Sequence, residues 1–321
     1  MRKITFLFAM LLLAALSFGQ TPMSGTYKVG TGETAPNFAL LSEAVTALNT
    51  NGLSGDVVLE IATDINETVN IGLINESAFT ITIRPDKDEP RVITFDKATD
   101  NAGPSGAFCF GIGMGLAWTD LKPSKNMVID GYAVGGSTRQ LKIATAVTHH
   151  GGNGPILLMD DCSNVQIKNT IIHHEGATSS ASNYGIYLRV NTSYGTKKMP
   201  SNVLIENNDI TNIKNGASQG IALYANAAPE GGVSEGVVIK NNIIKARTRG
   251  IFLNQLNGID IIGNEFHVVQ TNASTLSSGI MANAGIAGTI NVKSNNFAEL
   301  KTYNSTAGDW GMKGIIAGGG T

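Results

Sequence analysis

The sequence predicts an all-β chain, a single β-solenoid with a short N-terminal capping helix, and three observations carry that prediction. Five segments share one pattern: NVQIKNTII from Asn164, NVLIENNDI from Asn202, GVVIKNNII from Gly236, GIDIIGNEF from Gly258 and TINVKSNNF from Thr289. Their second alternating apolar residues, Ile167, Ile205, Ile239, Ile261 and Val292, are spaced 38, 34, 22 and 31 apart, and a Gly-Ile pair follows each at Gly185, Gly220, Gly250, Gly279 and Gly314. Helical arrays keep a fixed repeat length because every unit docks a helix pair on its neighbour. A period that shrinks to 22 suits coils of about three short strands, whose turns can swell without disturbing the stacked core.

Within each repeat the alternation assigns an inward face. Val203 and Ile205 share one side of a strand while Leu204 and Glu206 share the other. The amides mark the corners. Where one strand bends into the next, backbone groups lose their ladder partners, and asparagine supplies both a donor and an acceptor and tolerates left-handed backbone. The aligned column is Thr170, Asn208, Asn242, Asn264 and Asn295, each followed two residues later by Ile172, Ile210, Ile244, Phe266 or Phe297. Stacked coil on coil, these side chains can bond one another along the axis.

Upstream, Asn37 to Leu48 places Leu40, Leu41, Ala44, Val45 and Leu48 on one helical face, with Asn51-Gly52 as a stop. Strand-like runs follow at Val57 to Ile61, Phe79 to Ile83 and Arg91 to Phe95. A first coil would otherwise leave its core open to water, so the helix is expected to cap it. The glycine-rich stretches Asn101 to Gly115 and Gly131 to Thr138 read as long loops and irregular coils. The sequence stops within a strand-like run, Gly314 to Thr321, and the polypeptide is expected to continue beyond it into further domains or to meet a partner there.

Residues 1–19 carry Arg2 and Lys3, an apolar run from Ile4 to Leu16, and small residues at Ser17 and Gly19, the pattern of a secretory signal peptide. The run is shorter than the ~20 residues of a spanning helix, so no membrane span is expected in the mature chain. The division is then 1–19 signal peptide, 20–78 N-terminal cap with the helix and first strands, and 79–321 solenoid. Without Arg2 and Lys3 the chain holds 21 basic against 25 acidic residues, a net charge of −4. With only 15% charged residues, 38 glycines and 30 asparagines, it is neither a basic nucleic-acid binder nor a disordered acidic chain. Cys109 and Cys162 are its only cysteines; an oxidising compartment permits a disulfide, and separate burial as two small apolar residues serves equally well.

NVLIENNDI followed by QGIAL, with its four relatives, resembles the repeats of right-handed parallel β-helix proteins of the pectin-lyase-like fold. VGTGETAPNFALLSEAVTALNTNGLSGDVVLEI and NMVIDGYAVGGSTRQLKIAT are similar to early segments of secreted proteins of that fold of Bacteroidota type, and the likeness runs from about Thr26 to Ile316. It implies a right-handed parallel β-helix that is secreted or displayed at the cell surface, often within long multidomain proteins. It leaves activity open, because such coils serve lyases, hydrolases, epimerases and adhesins alike.

A polysaccharide-cleaving site on such a fold needs paired carboxyls, or a base with a cation that stabilises an enolate-like intermediate. Asp160-Asp161 is the best acidic pair and resembles the paired aspartates of polygalacturonase-like β-helix hydrolases only as a dipeptide. The companion Asn-Thr-Asp, Gly-His-Gly and Arg-Ile-Lys motifs do not occur at matching places. The plainer reading is a strand-end turn whose carboxylates bond backbone amides. His173-His174-Glu175 and His149-His150 invite a metal reading, but adjacent strand residues face opposite ways, so at most one histidine of a pair points outward and no metal site is expected. Calcium-type aspartate clusters are not evident and no cofactor is expected.

Arg189, Arg247, Arg249, Lys240 and Lys245 could meet an acidic sugar, although scattered basic side chains usually face solvent or a nearby acid. Tyr184, Tyr187, Tyr194 and Tyr224 could stack on sugar rings, or on each other. The favoured function is a secreted or surface module that binds glycan or acts as an adhesive scaffold, without catalysis in this segment. The alternatives are a lyase or hydrolase of acidic polysaccharide working through Asp160, Asp161, His173, Glu175 and Arg189, and a purely structural stalk.

Overall fold

The structure, a computed structural model, describes residues 21–97, 106–147, 154–175, 183–191, 193–194, 197–213, 218–225, 235–254, 257–270, 277–283, 287–301 and 312–318. Three sheets, one of nine strands and two of eight, are parallel throughout, and the chain visits them in turn. The architecture is a right-handed parallel β-helix of eight coils. The repeats occupy the fourth to eighth coils. Their first-sheet strands are Ser163–Lys168, Ser201–Glu206, Val237–Lys240, Asn257–Ile262 and Ala287–Lys293. The second-sheet strands are Ile171–His174, Asp209–Asn212, Ile243–Ala246, Glu265–Val269 and Asn296–Lys301, and the third-sheet strands are Asn183–Val190, Ser218–Ala225, Arg249–Leu253, Ser277–Ala282 and Met312–Ala317.

The aliphatic alternation does turn inward. Ile129, Ile167, Ile205, Ile239, Ile261 and Val292 are register partners across the first sheet, and Ile143, Ile172, Ile210, Ile244 and Phe266 across the second. Ile156, Ile186, Ile221, Ile251, Ile280 and Ile315 line up across the third. Most of these side chains are fully buried in one continuous core, each contributing roughly 1.5–3 kcal/mol. In the last coil Ile290, Val292 and Phe297 are only partly buried, and Ile315 is 49% exposed.

The amide column is present and runs as a hydrogen-bonded ladder through the interior. In each of the last five coils the first and second sheets are joined by two residues. The first of the two has positive φ: Asn169, Asn207, Asn241, Gly263 and Ser294. The second is the predicted column residue. Asn208 Oδ1 accepts from the backbone N–H and the hydroxyl of Thr170 (2.9 and 2.7 Å), and Asn242 Oδ1 accepts from the backbone N–H and side-chain amide of Asn208 (both 2.9 Å). Asn264 and Asn295 repeat the same pair of bonds one coil further on. Each column asparagine also donates to a backbone carbonyl: Asn208 to Ile167, Asn242 to Ile205, Asn264 to Ile239 and Asn295 to Ile261. Neighbouring positions divide the work: one asparagine takes the left-handed turn and the next satisfies buried polar groups.

The Gly-Ile mark has a steric cause. A Cβ on Gly185 would lie 2.5 Å from Ile210 Cγ2 and 2.7 Å from the Gly220 carbonyl, and Gly220 and Gly250 meet the same obstruction from the next coil. These glycines face the interior, as do the isoleucines that follow them. The inward-outward alternation along each of these third-sheet strands is therefore broken at the glycine, while the register between strands is kept.

The helix α1 spans Leu41–Asn51 and buries Leu41, Ala44, Val45 and Leu48 in the main core, capping the first coil as predicted. It starts four residues later than expected. The Asn37 side chain accepts from the Lys28 backbone N–H (2.9 Å) and Phe38 pairs with the first strand, Met23–Val29, so these residues join the sheet edge. Glu43 reaches back to the backbone N–H groups of Ala39 and Leu40, and Gly52 ends the helix at φ 70°. The first sheet already includes Met23–Val29 and Leu53–Ile61, so the strands assigned to the cap belong to the same stack. Phe108–Phe110, expected within a loop, is a third-sheet strand. Its flanking glycines mark close packing: a Cβ on Gly106 would lie 2.6 Å from Leu157 Cβ, and Gly111 has φ 83°. Both cysteines are buried and free, Cys162 in the main core and Cys109 in a second apolar cluster.

Candidate functional site

The second cluster lies on the outer face of the third sheet. It holds Cys109, Leu157, Tyr184, Tyr187, Ala222 and Phe252 among others, with Trp118, Tyr224 and Met281 packed against it. The irregularity at the glycines builds this face. Since Gly185 and Ile186 both point inward, Tyr184 and Tyr187, three residues apart, share the outside. The same two positions recur on later coils as Gln219 and Ala222, Arg249 and Phe252, then Ser278 and Met281, all in register.

Aromatic rings and guanidinium groups form two contacting groups along a strip of this face. Trp118, in a single 3₁₀ turn at Trp118–Asp120, stacks with the exposed Tyr194 at 6.4 Å between centroids. The Arg189 guanidinium lies 4.8 Å over the Trp118 ring and 5.9 Å from that of Tyr187. Tyr187 stacks on Tyr184 at 4.0 Å. Arg249 lies 4.8 Å over Phe252, which stacks with Tyr224 at 6.2 Å. Among the described residues neither arginine makes an ion pair. Burial lowers the pKa of Arg249, while burial and the neighbouring Tyr184 push Tyr187 well above its usual value.

The sequence-predicted residues divide between faces. Arg189, Tyr184, Tyr187 and Tyr224 come together on the third sheet, and Asp160-Asp161 follows the third-sheet strand Ile156–Leu158. Tyr184 and Tyr187 are buried against each other, at 7% and 3% exposure. Asp160 is buried and accepts the backbone N–H groups of Asn191 (2.9 Å) and Lys197 (3.1 Å), as the plainer reading expected. Burial pushes its carboxyl up to about 6; those two N–H groups and the nearby charge of Arg189 oppose the shift. Asp161 sits at φ 55° and pairs with Lys198 at 3.9 Å.

His173 and Glu175 lie on the second sheet, on another side of the stack, 3.4 Å apart. His174 points inward, fully buried, its Nδ1 2.8 Å from the Thr145 hydroxyl. One histidine of the pair therefore faces out, as alternation required. His149 and His150 lie outside the described residues. Lys240 and Lys245 pair with Glu206 (3.0 Å) and Asp209 (3.1 Å). Among the described residues no group of three or more His, Cys, Asp or Glu side chains could hold a metal ion.

The residues missed at first were Trp118, Phe252, Gln219 and Ser278. The repeat held a signal for three of them: the residue before each Gly-Ile pair and the residue after it share the outer face. Trp118 belongs to a segment with no repeat mark. Comparisons of the chain with protein-family models, with curated proteins and with solved structures found no match.

Proposed function

We propose that the chain is a glycan-recognising β-helix module acting outside the cell, with the outer strip of the third sheet as its recognition face. One observation carries this reading: Tyr194, Trp118, Arg189, Arg249 and Tyr224, all at least partly exposed, set aromatic rings beside two guanidinium groups that make no ion pair among the described residues, with Tyr184, Tyr187 and Phe252 buried among them. Flat apolar rings suit the faces of sugars, and planar guanidinium groups suit the carboxylates or sulfates of acidic ones. Extracellular placement rests on the apolar leader at residues 1–19. Arraying the chain against neutral and acidic glycans, with ultraviolet and reducing-sugar assays run in parallel, tests the proposal. Binding without turnover is expected, and silence against every glycan would sink it.

A second reading is cleavage of an acidic polysaccharide at Asp160. What favours it is a carboxyl raised to about 6 beside Arg189, a base and cation of the kind β-elimination uses. The two backbone amides already held by that carboxylate speak for the turn-building role instead. Unsaturated products in the ultraviolet assay would reverse the order of the two readings.

A further inference from the structure

We propose that an open cleft beside the capping helix binds a free apolar amino acid as its zwitterion. The cleft is separate from the aromatic strip and takes nothing from the glycan reading.

It opens where the chain turns from the third sheet back to the first at the start of the stack, and its volume is about 380 Å³. That is the size of a small-molecule site. Its floor is apolar, formed by Leu48 of α1 with Leu53, Ile74, Ile81 and Met114. Leu48 and Ile81 belong to the main core, so the cleft reaches the interior from an open mouth. Its walls are tied in place. The Asn49 side chain bridges α1 to the edge strand Ile71–Leu73 and its exit, donating to the Gly72 carbonyl (2.7 Å) and accepting from the Ile74 backbone N–H (3.0 Å). The Gly72 N–H donates to Met114 Sδ (3.4 Å), and a Cβ on Gly72 would collide with the Ile112 and Gly113 carbonyls. Asn75 fastens the turn after the strand through the Phe79 and Lys125 carbonyls (2.9 and 2.7 Å). The space is therefore preformed.

The rim carries one charge of each sign. Glu76 and Lys122 both line the cleft and approach each other only to 3.8 Å, with more than half of each side chain exposed. Such a pair contributes little and exchanges partners at small cost. A zwitterion offers that exchange: its ammonium takes Glu76, its carboxylate takes Lys122, and its side chain enters the apolar floor. The ammonium gains a second attraction from α1. The last turn of the helix lines the cleft through Asn49 and Thr50, carries the negative end of the helix dipole and holds no basic residue. The adaptable Met114 thioether favours an aromatic side chain beside it. A ligand with a single charge would satisfy only one side of the rim.

Ligand-observed NMR titrations of the full chain test this. Phenylalanine is the probe; phenylalaninamide keeps only the ammonium and N-acetylphenylalanine only the carboxylate, so the two also stand for the ends of a peptide. The expected result is saturable binding of phenylalanine, with each analogue about two- to fivefold weaker, the effect of one exposed ion pair. Glu76→Gln should remove the advantage of phenylalanine over N-acetylphenylalanine, and Lys122→Gln its advantage over phenylalaninamide. Thr50 is exposed on the helix, so Thr50→Trp should keep the circular dichroism of the parent while filling the cleft and abolishing binding. Absence of binding at the solubility limit of phenylalanine, an analogue that binds as well as phenylalanine, or binding that survives Thr50→Trp overturns the proposal.

Discussion

Replacing Asn242 by alanine should destabilise the stack far more than replacing Asn241 by glycine, although the two are adjacent and of one residue type. Asn242 is buried. Its oxygen accepts the backbone N–H and side-chain amide of Asn208, and its amide donates to Asn264 Oδ1 and the Ile205 carbonyl. Alanine leaves the Asn208 backbone N–H and the Ile205 carbonyl without these partners in the interior. At about 1–3 kcal/mol for each orphaned group, partly offset where a neighbour still bonds, the loss should come to roughly 3–5 kcal/mol. Asn241 instead sits exposed at φ 57°, a conformation glycine adopts freely, so Asn241→Gly should shift stability by no more than about 0.5 kcal/mol.

Urea unfolding followed by far-ultraviolet circular dichroism compares the two. Coils in a solenoid contact only their neighbours, so the transition of Asn242→Ala should also broaden as the lower and upper coils uncouple. Equal midpoints for the two variants would show that the column contributes nothing its neighbours cannot replace, and the ladder argument would fail.

Other outcomes follow from the same geometry. Gly185→Ala should lose about 1–3 kcal/mol, because its Cβ meets Ile210 and the Gly220 carbonyl, whereas Gly314→Ala, whose nearest atoms lie 3.9 Å away, should be close to neutral; thermal melts of both variants check the contrast. Asp160 holds its proton more tightly folded than unfolded, so its contribution to stability is greatest below about pH 4 and fades as pH rises through about 6. Asp160→Asn should remove that component from a series of unfolding curves between pH 4 and 7, and parallel curves for the two proteins would contradict the assignment. Burial pushes the Cys109 thiol up to about 12 and Cys162 higher still, so both should resist a thiol reagent in the folded chain, react on unfolding, and leave the melting temperature indifferent to reductant.

The inward face and the corner ladder were legible in the sequence because each depends on a short-range rule. Period-two alternation sorts Val203 and Ile205 from their neighbours, and a buried corner needs an amide at one position, which the alignment of Asn208, Asn242, Asn264 and Asn295 exposes. The aromatic strip was harder to read. Strict alternation puts Tyr184 and Tyr187 on opposite faces; a glycine that points inward beside an inward isoleucine brings them together, and that follows from crowding by Ile210 on the adjoining sheet. Trp118 meets Arg189 across residues far apart in the chain, with no repeat to align them. Phe108–Phe110 was hidden for the opposite reason. Its flanking glycines permit close packing, yet in one dimension they look like the punctuation of a loop.

The two-residue hinge between the first and second sheets never changes length across the last five coils, while the links to the third sheet run from two residues, Arg247 and Thr248, to the ten of 302–311. Length variation is thus shut out of one corner and admitted at the other two, which border the aromatic strip. Peptide grafts should be accepted at those borders and rejected at the hinge. A lineage built on this plan can redraw the rim of the aromatic strip while the spine that keeps the coils in step is inherited unaltered.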